Sequence, residues 1–240
     1  MASLARLSAP CLALLVSGCS GVWLPEFLEN RVGAQVTRAV LLEMPHEGHE
    51  AWRGRIETIG RRIAAVSERP HYHYQYYVVE SSTANAFAIP DGSIFVTTGL
   101  LKLIGPDELA LAGVLAHETG HIARRHGAET LQSQLGWGAI GILFFGFGDS
   151  VGKQAGQIGA QIVGLGYGRE MELEADVCAV RYLVRLGYKP DVTLKFLKAL
   201  LPLETGRDGS LERYLRSHPP TRERIRYVED YIGRYLSKPR

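Results

Sequence analysis

Val114-Leu115-Ala116-His117-Glu118-Thr119-Gly120-His121-Ile122 is the stretch around which the rest of the chain is organised. Helical residues four apart share a face, so His117 and His121 can place two imidazoles on one metal ion. Glu118 is one step round, within reach of a water on that ion. Two neutral nitrogens suit zinc, and a carboxylate beside them can take the proton of an attacking water. His-Glu-x-x-His is thus the pattern of a zinc site with its own base for activating water.

A histidine pair on a helix can also be surface or core decoration. The surroundings favour the metal. The spacing predicts a helix from Pro106 to His126, with Pro106, Asp107 and Glu108 at its start. Leu109, Leu111, Val114, Leu115 and Ile122 make it apolar, as a buried active-site helix requires. Ala116 and Gly120 leave room for close packing beside the ion.

The chain has 240 residues, 46% of them hydrophobic, which suffices for one catalytic domain with its own core. A net charge of +2 gives no electrostatic case for nucleic acid. Residues 1–18 have the character of a cleaved secretory signal, with a short apolar run from Leu12 to Val16. Val16-Ser17-Gly18-Cys19 is similar to a lipobox, which makes Cys19 the lipidated first residue of the mature chain. Ser20, by resemblance to enterobacterial sorting, directs that chain to the outer membrane. Removal of Cys11 and lipidation of Cys19 leave Cys178 alone, so no internal disulfide is expected. Its apolar context makes it a small buried residue.

A tether is expected over 19–32 and the catalytic domain over 33–240. Helices are predicted over Gly33–Met44 and His49–Arg69. His71 to Val79 alternates as a strand, with His71 and His73 on a solvated face; His46 and His49 are expected at the surface. Asn85 to Gly92 predicts a strand and turn, and Ser93 to Thr97 its returning partner. An exposed edge there can hold an extended substrate by its main chain. Gly136 to Gly168 is rich in glycine and aliphatics. Its first apolar run of about 13 residues falls short of the roughly 20 that a membrane span needs. A flap or lining over the cleft is the expectation.

Zinc held by two histidines needs a third protein ligand and an open position for water. Arg169-Glu170-Met171-Glu172-Leu173-Glu174-Ala175-Asp176 offers it. Glu172 and Asp176 share a helical face, one able to bind metal and the other to orient a ligating histidine. Glu170 and Glu174 lie two residues either side, and spacing alone leaves the choice of glutamate open. This helix should end at Gly187. Further helices are expected over Asp191–Leu201, Ser210–Arg216 and from Thr221, a possible cap, to Leu236.

Five elements in order resemble the gluzincin zinc metallopeptidases of the HtpX and BepA type. They are Asn85-Ala86-Phe87-Ala88, Gly99-Leu100-Leu101, the His117–His121 motif, Arg169 with Glu172-x-x-x-Asp176, and His218-Pro219 with Arg224. The resemblance implies a mainly helical zincin-like fold with a small hairpin or sheet beside the zinc helix. It implies one zinc held by His117, His121 and Glu172, with Glu118 as the base. His218 would lie near the metal, stabilising the oxyanion or silencing the enzyme as a fourth ligand. Asp176, Arg169 and Arg224 would support the site, and Asn85 to Ala88 would bind substrate. With no clear set of membrane spans, and no room after Arg240 for a tetratricopeptide array, the short periplasmic lipoprotein members fit best. The expected role is cleavage of unfolded or misassembled envelope proteins at the periplasmic face of the outer membrane, near its assembly machinery. The alternative is a chaperone-like assembly factor with latent protease activity.

Overall fold

The computed structural model describes residues 24–135, 166–201, 218 and 221–236. The fold is mainly helical with one small sheet, as expected. The elements run α1 (Glu26–Glu43), α2 (Glu50–Ala64), β1 (Gln75–Val79), β2 (Ala86–Ala88), β3 (Ser93–Thr97), α3 (Thr98–Ile104), α4 (Glu108–Ala123), α5 (His126–Thr130), α6 (Arg169–Arg185), α7 (Val192–Leu200) and α8 (Thr221–Leu236). A π-helical turn, Leu131–Leu135, follows α5. No helix among the described residues is long and apolar enough to cross a membrane.

Helix α4, which carries His117, Glu118 and His121, is the centre. Its N-cap is Asp107, whose carboxylate accepts from the Leu109 and Ala110 amides, satisfying donors that the first turn leaves open. From Ala110 to Ala123 every residue is buried. Helices α2, α6 and α7 and strand β2 surround it. A Cβ added at Gly120 would lie 3.1 Å from the Ala175 carbonyl and from Cys178 Cβ. That glycine lets α6 approach closely enough to bring its carboxylates to the motif. Cys178 is buried in this contact, as its context suggested.

The sheet has the order β1-β3-β2. β2 and β3 form the expected hairpin, with Phe87 opposite Phe95. Gly92, at φ +95°, makes its turn, a backbone state that costs glycine no side-chain clash. β1 pairs with β3 in parallel. Alternation splits the sheet into two faces. Ala86, Ala88, Ile94 and Val96 join the main core around α4. Phe87, Phe95, Val79 and Ile89 pack instead with Val36 and Val40 of α1.

Several boundaries differ from expectation. α2 ends at Ala64, short of Arg69, and α4 spans Glu108–Ala123 where Pro106–His126 was expected, with Asp107 capping its start and the left-handed Arg125 breaking its end. β1 starts at Gln75, while His71 and His73 lie exposed in the preceding turn. There Tyr72 donates to the Pro90 carbonyl at 2.6 Å and Arg69 stacks on its ring at 3.6 Å. These contacts outweigh the strand preference of the alternating residues. α1 begins at Glu26, so part of the expected tether is folded. Its Glu29 is buried and meets Arg69 at 3.3 Å and Arg125 at 2.8 Å. α1 thereby clamps the chain just beyond α4. The helix expected over Ser210–Arg216, residues 1–23, and almost all of the Gly136–Gly168 segment lie outside the described residues.

Candidate metal centre

Four buried side chains, His117, His121, Glu172 and His218, bring one potential ligand atom each to within 4.8 Å of one another. Three come from adjoining helices. His117 and His121 project from α4, and Glu172 comes from the first turn of α6 beside Gly120. His117 Nε2 and His121 Nε2 are 3.1 Å apart. Glu172 Oε2 lies 3.5 Å from His117 Nε2 and its Oε1 3.4 Å from His121 Nε2, so the carboxylate faces the pair with both oxygens. A tetrahedral ion with bonds of about 2.0–2.1 Å sets its ligands about 3.3 Å apart. The three separations fit such an ion, and the donor set of two imidazoles and one carboxylate suits zinc. Glu172, and neither neighbouring glutamate, is the carboxylate that reaches the pair. Glu170 is exposed, and Glu174 turns to His126 at 3.1 Å.

The ligands are held by a second layer. Asp176 accepts from His117 Nδ1 at 2.9 Å, which leaves Nε2 free to bind. Arg224 of α8 grips Asp176 with two hydrogen bonds of 2.7 and 2.8 Å and reaches Glu172 at 2.9 Å. Both residues were expected to support the site, as was Arg169. Its side chain is exposed and pairs with Glu223 of α8, so it links α6 to α8 at the surface without touching the four ligand residues.

Electrostatics follow from burial and these partners. Burial pushes the Glu172 carboxyl up, but His218 and Arg224 outweigh it and hold the group well below its ordinary value. Burial keeps His121 far below its usual range. Burial and Arg224 push His117 down, yet Asp176 and Glu172 prevail and lift it to about 9. Glu118 is raised by burial, against the pull of His218 and His117. It is 2% exposed, and its Oε2 has no hydrogen-bond partner among the described residues. An unpaired buried carboxylate oxygen beside a metal cluster is placed to take a proton.

The edge of β2 borders the cluster. Thr97 N donates to Asn85 O, and Ile89 N to Ser93 O, so alternate residues turn towards β3. Ala86 and Ala88 therefore aim their main-chain groups outward. Both outward carbonyls are engaged. His218 Nε2 lies 3.3 Å from Ala86 O while its Nδ1 lies 2.8 Å from Glu172. Tyr167 donates to Ala88 O at 3.2 Å and stacks on His121 with ring centres 3.8 Å apart. Of the Asn85–Ala88 stretch, Phe87 turns its side chain away and stacks on Phe95 at 4.9 Å. Asn85 is buried, and its Oδ1 has no hydrogen-bond partner among the described residues.

Tyr167 and His126 were not singled out from sequence. Tyr167 sits beyond an apolar run without a helical or strand period. His126 is five residues past His121, off its helical face. It is turned back by Arg125, which adopts a left-handed φ of 61°, uncommon for a residue with a side chain. The Arg-His pair after the motif was the available signal.

The family model "Peptidase family M48" matches residues 50–232, most of the chain and all of this site. The chain belongs to peptidase family M48. It is 29% identical over 181 residues to the mitochondrial metalloendopeptidase OMA1 of Schizosaccharomyces pombe, covering 74% of this chain and 52% of that protein. Identity to the metalloprotease LoiP of Escherichia coli is 28% over 183 residues, covering 75% and 70%. It is 30% over 155 residues to the beta-barrel assembly-enhancing protease of Yersinia pestis, covering 60% and 32%. The chain thus spans about half of the OMA1 protein and a third of the assembly-enhancing one. M48 membership and the geometry agree on a metalloprotease centre.

Proposed function

We propose that this M48 chain is a zinc endopeptidase of the bacterial envelope, cutting extended segments of unfolded or misassembled proteins. The spacing of His117, His121 and Glu172, with Glu118 Oε2 beside them lacking a partner among the described residues, carries the reading. Those three ligands would hold one zinc per chain and leave a position for water. When bound, zinc supplies an acidified water and a polarised scissile carbonyl. Glu118 accepts the proton of the attacking water and returns it to the departing amine.

The substrate lies along the outer edge of β2, held by the main chain of Ala86 and Ala88, with the Asn85 amide oxygen accepting from it. Recognition by main chain selects extended conformation over side-chain identity. That suits unfolded substrates. The signal-like composition of residues 1–18 and the lipobox-like Val16-Ser17-Gly18-Cys19 support a place at the periplasmic face of the outer membrane. The name of the Yersinia pestis relative supports contact with the assembly machinery there.

A specific observation favours a second reading, an assembly factor whose protease is latent. His218 engages both Glu172 and Ala86 O, and Tyr167 engages Ala88 O. In this arrangement the substrate edge is covered.

The test is to strip the full-length chain with chelator, restore zinc, and follow cleavage of an unfolded protein. Activity should disappear and return with the metal, and Glu172→Ala should lose both metal and cleavage. Cleavage that persists without zinc would refute the proposal. Binding of unfolded protein with no cleavage, in the zinc-loaded parent and in His218→Ala, would favour the assembly role.

A further inference from the structure

His121 has an outer partner that neither the metal reading nor the substrate reading uses. Its Nδ1 lies 2.9 Å from Nδ1 of His126. His126 is 2% exposed, and its Nε2 lies 3.1 Å from Glu174 Oε2. Glu174 also pairs with Arg124. Two ring nitrogens 2.9 Å apart share one proton, so one donates and the other accepts. Glu174 as a carboxylate only accepts, which puts a proton on His126 Nε2. A neutral His126 then has a bare Nδ1, the acceptor for Nδ1–H of His121. The only nitrogen of His121 left with a lone pair is Nε2, the one facing His117 and Glu172. The opposite polarity would put the His121 proton on Nε2, where the ion must bind.

We propose that His126 and Glu174 are positioning residues that fix the His121 tautomer and ring orientation for metal binding. The inference rests on the zinc reading above and extends it. His117 and His121 are then oriented differently. Asp176 serves His117 directly, while a second imidazole carries the carboxylate's influence to His121. The left-handed Arg125, anchored to Glu29, returns His126 to the site.

The experiment measures zinc affinity of the full-length chain at fixed pH by competition with a chromophoric chelator. The variants are His126→Leu, His126→Asn and Glu174→Ala. Loss of an outer partner of a metal-binding histidine weakens affinity by about 10–100-fold, and His126→Leu should fall in that range. Asn keeps an acceptor oxygen where Nδ1 stands, so His126→Asn should hold within a few-fold of the parent. Glu174 is 40% exposed in its side chain, so Glu174→Ala spares the core and decides the matter if His126→Leu does not fold. It should weaken zinc binding. Ring nitrogen NMR of the zinc-loaded parent should show His126 protonated at Nε2 only. Parent-like zinc affinity in folded His126→Leu or in Glu174→Ala, or a proton on His126 Nδ1, would overturn the proposal. A parent that binds no zinc would instead bring down the metal reading on which it rests.

Discussion

His218 Nδ1 lies 2.8 Å from Glu172 Oε1, so a residue from near the C-terminus contacts a prospective metal ligand directly. The same ring meets Ala86 O. A single side chain thus competes for the metal cluster and for the substrate edge. Replacing it should release both. His218→Ala is expected to raise zinc-dependent cleavage of an unfolded protein by about 10-fold, from loss of a charge-assisted bond of about 1.5 kcal/mol. Initial rates on a fluorescent unfolded substrate check this. A large fall would assign His218 to the oxyanion.

Tyr167 covers the other outward carbonyl of β2. Tyr167→Phe keeps the stack on His121 and removes only the hydroxyl. A neutral hydrogen bond contributes about 0.5–1.5 kcal/mol, so KM should fall about 2–10-fold with kcat little changed. Steady-state kinetics separate the two constants.

Arg224 pairs with two fully buried carboxylates, Asp176 and Glu172. Arg224→Met would leave both without their guanidinium. Breaking a buried pair from one side costs about 3–5 kcal/mol. Urea unfolding of the metal-free chain should show a loss of that order, larger than for an exposed pair such as Arg55 with Glu108.

Asp107 caps α4 and lies 3.0 Å from Lys195. Lys195 first, then the cap amides, hold its carboxyl below the ordinary value. Its contribution is therefore complete above the unfolded carboxyl pKa and is lost as pH falls through the lower folded one. Asp107→Ala should cost about 1 kcal/mol near neutral pH and nothing in strong acid. Thermal melts of parent and variant across that range, converging below about pH 4, test the sign.

The motif helix and the β2–β3 hairpin were readable because local chemistry and tertiary structure agree there. Glu172 was readable from sequence only together with the resemblance, since spacing alone left Glu170 and Glu174 open. The structure separates them by the close approach of α6 at Gly120. His126 was hidden because its return depends on the backbone of Arg125 and on Glu29, 96 residues earlier in the chain. The late start of β1 follows from Tyr72 and Arg69, whose contacts are equally non-local. Phe87 belongs to an outer core that exists only because α1 covers the sheet.

The most direct test of the central claim compares the full-length parent with Glu118→Gln for bound zinc and for cleavage of an unfolded protein. The account predicts one zinc per chain in both and cleavage only in the parent, because the amide cannot take the water's proton. Full cleavage by zinc-loaded Glu118→Gln, or a parent that holds no zinc, would contradict it.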